Sequence, residues 1–339
     1  MKPSSDRPAR GLVLGKFLPP HRGHQFLIEF ARQYVEHLTV LVGALRSEPI
    51  PGKLRHQWVR EMFPQANVNV VYLPEDLPST PADHPDFWPI WRQAIYDAAP
   101  EGIDCFFASE DYGPKTAEVI GNGCRYVEVD QPRELVPISG TLVRNDPMRY
   151  WDFLPEPVRP YFLKRVCIFG PESTGKSTLA RDLAREFQTL HAWEFARPLL
   201  DRQNGKCFAH NIPDIVRGQI ATEDALARQA RRVLFCDTDV LTTTLWSDTL
   251  FGDTPAWIRQ FADGRTYDLY LLLDVDVPWV NDGQRFFEDQ HMRQQIFERF
   301  RNALESRQRK YQIIRGDWAT RFRTARDAVK RLLESAQQQ

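Results

Sequence analysis

The stretch Val166-Cys167-Ile168-Phe169-Gly170-Pro171-Glu172-Ser173-Thr174-Gly175-Lys176-Ser177-Thr178 joins an apolar run to an amphipathic one through a turn of small residues. Arg165–Phe169 reads as a buried strand and Ser177–Phe187 as a helix. The turn has the spacing G-x-x-x-x-G-K-S, which sets a ring of backbone N–H groups at the start of a helix, where the helix dipole is positive. Such a turn is a P-loop, and it cradles phosphates. Gly170, Ser173, Thr174, Gly175 and Thr178 form the cradle; Lys176 is expected to reach the β- and γ-phosphates of ATP, and the Ser177 hydroxyl to coordinate Mg²⁺.

On the C-terminal side, Val233–Asp237, Asp268–Asp274 and Tyr311–Ile314 read as further strands with helical segments between them, and Trp318–Ala336 as a closing helix. Strand alternating with helix means a parallel sheet. Asp237 ends its strand as a metal-binding carboxylate beside the P-loop strand would, and Asp239 is the alternative or additional ligand. Asp237, Asp239 and Glu194 are all candidates for orienting or deprotonating an acceptor hydroxyl. Pro278 to Arg285 reads as a lid loop, with Arg285, and Arg293 as a second candidate, closing over the transferred phosphoryl group. The ordinary fate of Asp282 and Arg285 is a solvated ion pair.

On the N-terminal side, Pro155, Pro157 and Pro160 interrupt any helix and mark a stiff connector. Domains are therefore expected at residues 1–152 and 164–339, joined by 153–163. Gly11–Gly15, Leu38–Gly43, Val68–Leu73, Cys105–Ala108 and Tyr126–Val129 read as strands, again with helices between them. The fold class is α/β, two doubly wound parallel-sheet domains. After the first strand comes Gly15-Lys16-Phe17-Leu18-Pro19-Pro20-His21-Arg22-Gly23-His24, followed by Phe26, Leu27, Phe30, Ala31, Tyr34 and Val35 on one helical face. A pair of imidazoles at a helix start suits a triphosphate: His21 and His24 donate hydrogen bonds, Lys16 adds a charge, and Gly15 and Gly23 leave room. An isolated H-x-x-H is about as often a mere cap.

Composition limits the alternatives. Lys+Arg 44 against Asp+Glu 45 leaves a net charge of -1, so no global field draws the chain to nucleic acid or anionic lipid. The cluster Arg228, Arg231, Arg232 reads as a solvated helix face. Cysteines number 5 and are scattered without metal or redox spacing, which suggests reduced thiols. No stretch reaches the roughly 18 apolar residues of a membrane span, and the apolar run at Gly11 is too short for a signal-peptide core. A cytoplasmic location is expected.

The string Gly15–His24 resembles the G-x-F-x-P-x-H-x-G-H signature of the nucleotidyltransferase superfamily, and Ile138-Ser139-Gly140-Thr141-Leu142-Val143-Arg144 resembles its I-S-x-T-x-x-R string. The resemblance implies that Phe17, Ser139, Thr141 and Arg144 join the ATP site. With the P-loop half and the segments around Arg46, Arg55, Trp88, Trp91 and Tyr112, nearly the whole chain resembles the bacterial bifunctional nicotinamide mononucleotide adenylyltransferase/ribosylnicotinamide kinases. That resemblance implies the substrates ribosylnicotinamide, nicotinamide mononucleotide, ATP and NAD, with Mg²⁺. It favours Trp88 over Trp91 as a platform for the pyridinium ring, and Trp193 with Arg197 as contacts in the second site. Some members carry a DNA-binding helix-turn-helix ahead of the first domain; here the first strand opens within about a dozen residues, so repressor activity is not expected. The same folds with other acceptors, or a nucleotide-sensing regulator, are the competing readings.

Overall fold

The computed structural model describes residues 8–75, 77–279 and 289–335. Two compact units, Met1–Val158 and Arg159–Gln339, divide the chain. In the first, strands β1 (Arg10–Gly15), β2 (His37–Val42), β3 (Val68–Tyr72), β4 (Cys105–Ala108) and β5 (Arg125–Glu128) form a sheet of order β3-β2-β1-β4-β5. Its helices are α1 (Arg22–Tyr34), α2 (Gly52–Met62), α3 (Phe87–Ala98), α4 (Gly113–Ile120) and α5 (Gly140–Asn145). Every pairing is parallel, with Val13 level with Val40 on one side and Phe107 on the other.

Side chains alternate across the strands, so the sheet feeds two cores. Val13, Val40 and Phe107 pack with Leu27, Ile28 and Ala31 of α1. The alternate residues Leu12, Leu41 and Phe106 pack with Ile95 of α3 and Ala117 and Ile120 of α4. Helices therefore cover both faces, as the nearly continuous apolar runs of the strands require. The strand order reverses at β1 and β4, and a ligand crevice is expected beyond their carboxyl ends.

The second unit repeats the scheme with strands β6 (Lys164–Phe169), β7 (His191–Ala192), β8 (Val233–Asp237), β9 (Leu269–Leu273) and β10 (Tyr311–Ile314), ordered β10-β9-β6-β8-β7 and all parallel. Its helices are α6 (Arg159–Phe162), α7 (Lys176–Glu186), α8 (Ala196–Arg202), α9 (Ile212–Ala227), α10 (Val240–Phe251), α11 (Ala256–Gly264), α12 (Gln290–Glu305) and α13 (Trp318–Ser335). Val166 and Ile168 face α7 and α13, while Phe169 meets Phe300 of α12 with ring centroids 4.9 Å apart. The P-loop strand β6 thus lies in the middle of its sheet, flanked by β8 and β9. Strand β7 is the element the sequence reading lacks; two residues are too few for any periodicity. Among the described residues no helix is long and apolar enough to cross a membrane.

Candidate nucleotide sites

His21 caps α1, its Nδ1 accepting the backbone N–H of His24 at 3.4 Å. An N-cap position normally takes Ser, Thr, Asp or Asn; imidazole here does the same task and keeps Nε2 as a donor. The two rings stack with centroids 3.7 Å apart, and the buried Phe17 meets His24 edge-on at 4.9 Å. A Cβ on Gly23 would lie 3.0 Å from the His21 ring, so the stack depends on that glycine. Burial, reinforced by Arg133, lowers the His21 pKa to about 4. Burial, then His21 and then Arg133, holds His24 well below its ordinary value. Both rings are therefore neutral at pH 7. Nδ1 of His24 is buried without a hydrogen-bond partner among the described residues.

These rings open on a cavity of about 770 Å³ at the carboxyl end of the sheet, which also receives Gly15, Lys16, Phe17 and Gly23. Ser139, Thr141 and Arg144 reach it from α5, and Trp88 and Trp91 from α3. Ser139 caps α5 through Leu142 N–H at 3.2 Å. Arg144 donates to the Leu18 carbonyl and, at 3.1 Å, to Thr141 Oγ1, so α5 is tied directly to the histidine turn. Trp91 Nε1 donates to the Pro78 carbonyl at 2.9 Å, while Trp88 is half-buried against Phe87. Arg46 is not among the lining residues; its side chain lies 75% exposed near Glu75, at 3.6 Å.

Arg55 has a structural part here that spacing does not reveal. Fully buried, it donates to the Lys16 carbonyl at 2.5 Å, the Gly43 carbonyl at 3.4 Å and Glu48 Oε2 at 2.6 Å. Glu48 also takes Leu45 N–H at 3.0 Å and holds Lys16 Nζ at 3.0 Å. Burial pushes Glu48 up, but these donors outweigh it and its pKa is lowered. The ends of β1 and β2 and the Lys16 ammonium are thereby fixed by one buried ion pair. Arg133, which bonds Glu110 at 2.7 Å, lines the same cavity beside the histidines. Both arginines come from loops and helices remote in sequence, where only tertiary structure makes them neighbours.

In the second unit the P-loop turns between β6 and α7. Gly170 has φ 134, and a Cβ there would meet the Leu273 carbonyl at 2.8 Å; only glycine fits. Gly175, with φ 87, is the N-cap of α7. Thr174 Oγ1 and Lys176 Nζ both donate to the Pro171 carbonyl, at 2.8 and 2.7 Å. From behind, fully buried Arg321 of α13 donates to the Thr174 carbonyl at 3.1 Å and the Asp274 carbonyl at 2.9 Å. Ser177 and Thr178 are exposed on the first turn of α7.

Asp237 ends β8 and is buried. Burial and then Glu194 raise its pKa to about 6, against the pull of the Ser177 hydroxyl, Lys176 and Arg197. Its Oδ1 finds no hydrogen-bond partner among the described residues. A buried carboxylate oxygen without a partner beside a serine hydroxyl fits a divalent cation. Among the described residues no group of three or more His, Cys, Asp or Glu could hold a metal. Mg²⁺ takes one or two carboxylates and completes its shell with water and phosphate oxygens, so the Ser177 hydroxyl and Asp237 are a donor set of the right kind.

Three expectations change here. Asp239 does not face the cleft as a metal ligand: Oδ1 caps α10 through Thr242 N–H at 2.7 Å, and Oδ2 accepts from Tyr270 at 3.0 Å. Trp193 does not line the cleft. Ala192 turns into the core, and Trp193, one residue past the end of β7, points outward, 59% exposed. Trp246 of α10 lines it instead, along with Lys176, Glu194 and Arg197. Arg293 is no mobile lid group but a buried anchor, both its terminal nitrogens donating to the Val277 carbonyl at 3.1 Å. Arg285 and Asp282 lie outside the described residues.

A family model described as an AAA domain matches residues 165–321. In overall architecture the chain is similar to a crystal structure of NadR protein in complex with NR, with TM-score 0.79, 22% identity and 96% of both chains covered. A second NadR structure, in complex with NAD and AMP-PNP, gives TM-score 0.77 at the same identity and coverage. The trifunctional NAD biosynthesis/regulator protein NadR of Escherichia coli K12 is 33% identical over 298 residues, covering 81% of this chain and 71% of that protein. The Salmonella typhimurium LT2 protein of the same description is 32% identical over the same length and coverage. With both nucleotide-binding turns in place and identity at this level across most of each sequence, the chain belongs to the NadR family.

Proposed function

We propose that the chain is a bifunctional enzyme of NAD synthesis, its second unit phosphorylating ribosylnicotinamide and its first transferring AMP from ATP to the product. The observation that carries this reading is the contrast between the two strand-to-helix turns. One surrounds its cavity with neutral imidazoles, a lysine and two arginines. The other sets a lysine and a serine beside a buried carboxylate.

In the second unit, the 5′-hydroxyl oxygen of ribosylnicotinamide bonds to the γ-phosphorus, the bond to the β–γ bridging oxygen breaks, and ADP leaves. The hydroxyl proton passes to the Glu194 carboxylate, which lines the cleft, since Asp239 is occupied as a cap and Asp237 is the carboxylate that would hold Mg²⁺. Lys176 leaves the Pro171 carbonyl for the phosphates. When bound, Mg²⁺ neutralises phosphate charge, and Ser177 and Asp237 are the residues that would hold it.

In the first unit, a phosphate oxygen of nicotinamide mononucleotide bonds to the α-phosphorus of ATP, the α–β bridging bond breaks, and pyrophosphate leaves. His21 and His24 donate from neutral rings, and Lys16 and Arg144 supply positive charge where the departing group gains negative charge. Trp88 supplies a face for the pyridinium ring. Incubation with ribosylnicotinamide, ATP and Mg²⁺ is expected to yield nicotinamide mononucleotide with ADP, then NAD with pyrophosphate. Absence of either product pair defeats the proposal for the corresponding unit.

A further inference from the structure

The kinase cleft is backed by a buried polar chain that reaches its wall at Gln219 and that the chemistry above does not use. Glu223 of α9 is completely buried, and its carboxylate receives Tyr267 Oη at 3.0 and 2.9 Å and Arg265 Nε at 3.1 Å. It also receives Gln219 Nε2 at 3.1 Å. Burying such a carboxylate is costly, and well-packed apolar residues often do as well or better for stability. What the chain of bonds fixes is the orientation of the Gln219 amide. Because Glu223 can only accept, it forces the Gln219 amide to turn its nitrogen inward, which presents Oε1 to the other side. There Oε1 accepts the Phe195 backbone N–H at 3.1 Å.

Phe195 stands between Glu194 and Arg197, both of which line the cleft with Lys176. A second observation on the neighbouring residue converges on it. The Phe195 ring lies over Gly218, where an added Cβ would come within 2.2 Å of ring carbon. One turn of α9 therefore grips Phe195 twice, by its backbone N–H and by its ring.

We propose that Gly218, Gln219 and Glu223 are positioning residues for phosphoryl transfer, locking the Glu194–Arg197 segment at the geometry the nucleoside acceptor requires. The inference rests on the kinase reading given above. The P-loop is anchored independently by Arg321, so this device sets the acceptor side of the cleft and leaves the ATP side alone.

The test is steady-state kinase kinetics on the full chain, with ribosylnicotinamide and MgATP varied in turn, for wild type, Gln219→Met, Gly218→Ala and Gly218→Ala/Phe195→Leu. A displacement of about 1 Å costs up to about a hundredfold in rate. Gln219→Met and Gly218→Ala are accordingly expected to lower kcat/KM for the nucleoside by about tenfold to a hundredfold, with KM for ATP and the adenylyl-transfer rate unchanged. Trimming the ring in the double variant relieves the collision and is expected to recover most of that loss. Unchanged nucleoside kinetics in the single variants overturns the inference, as does a loss that falls equally on KM for ATP or that the double variant fails to recover. If Gln219→Met does not fold, the Gly218→Ala pair decides alone. Wild type that phosphorylates no ribosylnicotinamide defeats the kinase reading itself, a result distinct from any pattern among the variants.

Discussion

The two strand-to-helix turns, each read as a polyphosphate site at a helix N-terminus, are held rigid in different ways. After β1 the turn is rigid because aromatic rings fill it: Phe17, His21 and His24 pack on one another, and burial keeps both imidazoles neutral. After β6 the turn is rigid because backbone conformation dictates it, through Gly170 and Gly175, and its charges are a lysine and a buried carboxylate. The difference tracks the bond each would break. Transfer at the γ-phosphorus would draw on a cation held by Ser177 and Asp237, whereas the donors of the first cavity would serve a departing pyrophosphate.

The sharpest trial of this contrast is a crossed pair of substitutions. Lys176→Ala is expected to reduce kinase turnover by about 10²–10³-fold and to leave adenylyl transfer intact, and His24→Ala to do the reverse. Kinase activity is followed from ribosylnicotinamide and adenylyl transfer from supplied nicotinamide mononucleotide, in separate incubations with the pyridine products resolved chromatographically. Loss of both reactions in either variant contradicts independent turns.

Acid titration gives the next largest effect. His21 binds a proton at about 4 in the folded protein but near 6.5 when unfolded. The unfolded chain therefore takes up more protons as pH falls from 6.5 to 4, and the first unit loses stability across that window. The loss from His21 is about 3 kcal/mol at most. His21→Asn retains a good N-cap and is expected to flatten the acid slope of the melting temperature. An unchanged slope places the titration elsewhere.

How far these sites can be read from sequence depends on whether the determinants are contiguous. The P-loop and the histidine turn are short strings in which backbone conformation and chemistry coincide, and β4, β8 and β10 run over the residues their apolar pattern predicts. Arg55, Glu48 and Arg133 carry no such signal, because a buried arginine looks like a surface one until its carbonyl partners are known. Asp239 illustrates the converse. An acidic residue just past a buried strand suggests metal binding, yet the following Val240-Leu241-Thr242 begins a helix, and capping it uses the carboxylate.

The aromatic pair Trp193 and Trp246 turns that lesson into the smallest predicted effect. Trp193 sits in a segment dense with candidate site residues, but β7 ends at Ala192 and the residue that follows it lies in solvent. Trp246 is embedded in α10, a helix whose first turns are buried so completely that its sequence has no polar face to mark which side meets the cleft. Its ring packs near Phe300, centroids 6.0 Å apart, and lines the cleft that holds Lys176. A pyridinium over an indole face gains about 0.5–2 kcal/mol. Trp246→Ala is thus expected to raise KM for ribosylnicotinamide about tenfold with little change in KM for ATP, and Trp193→Ala to change neither by more than about twofold. The opposite ranking would return the stacking role to Trp193 and require the β7–α8 segment to fold inward when substrate binds.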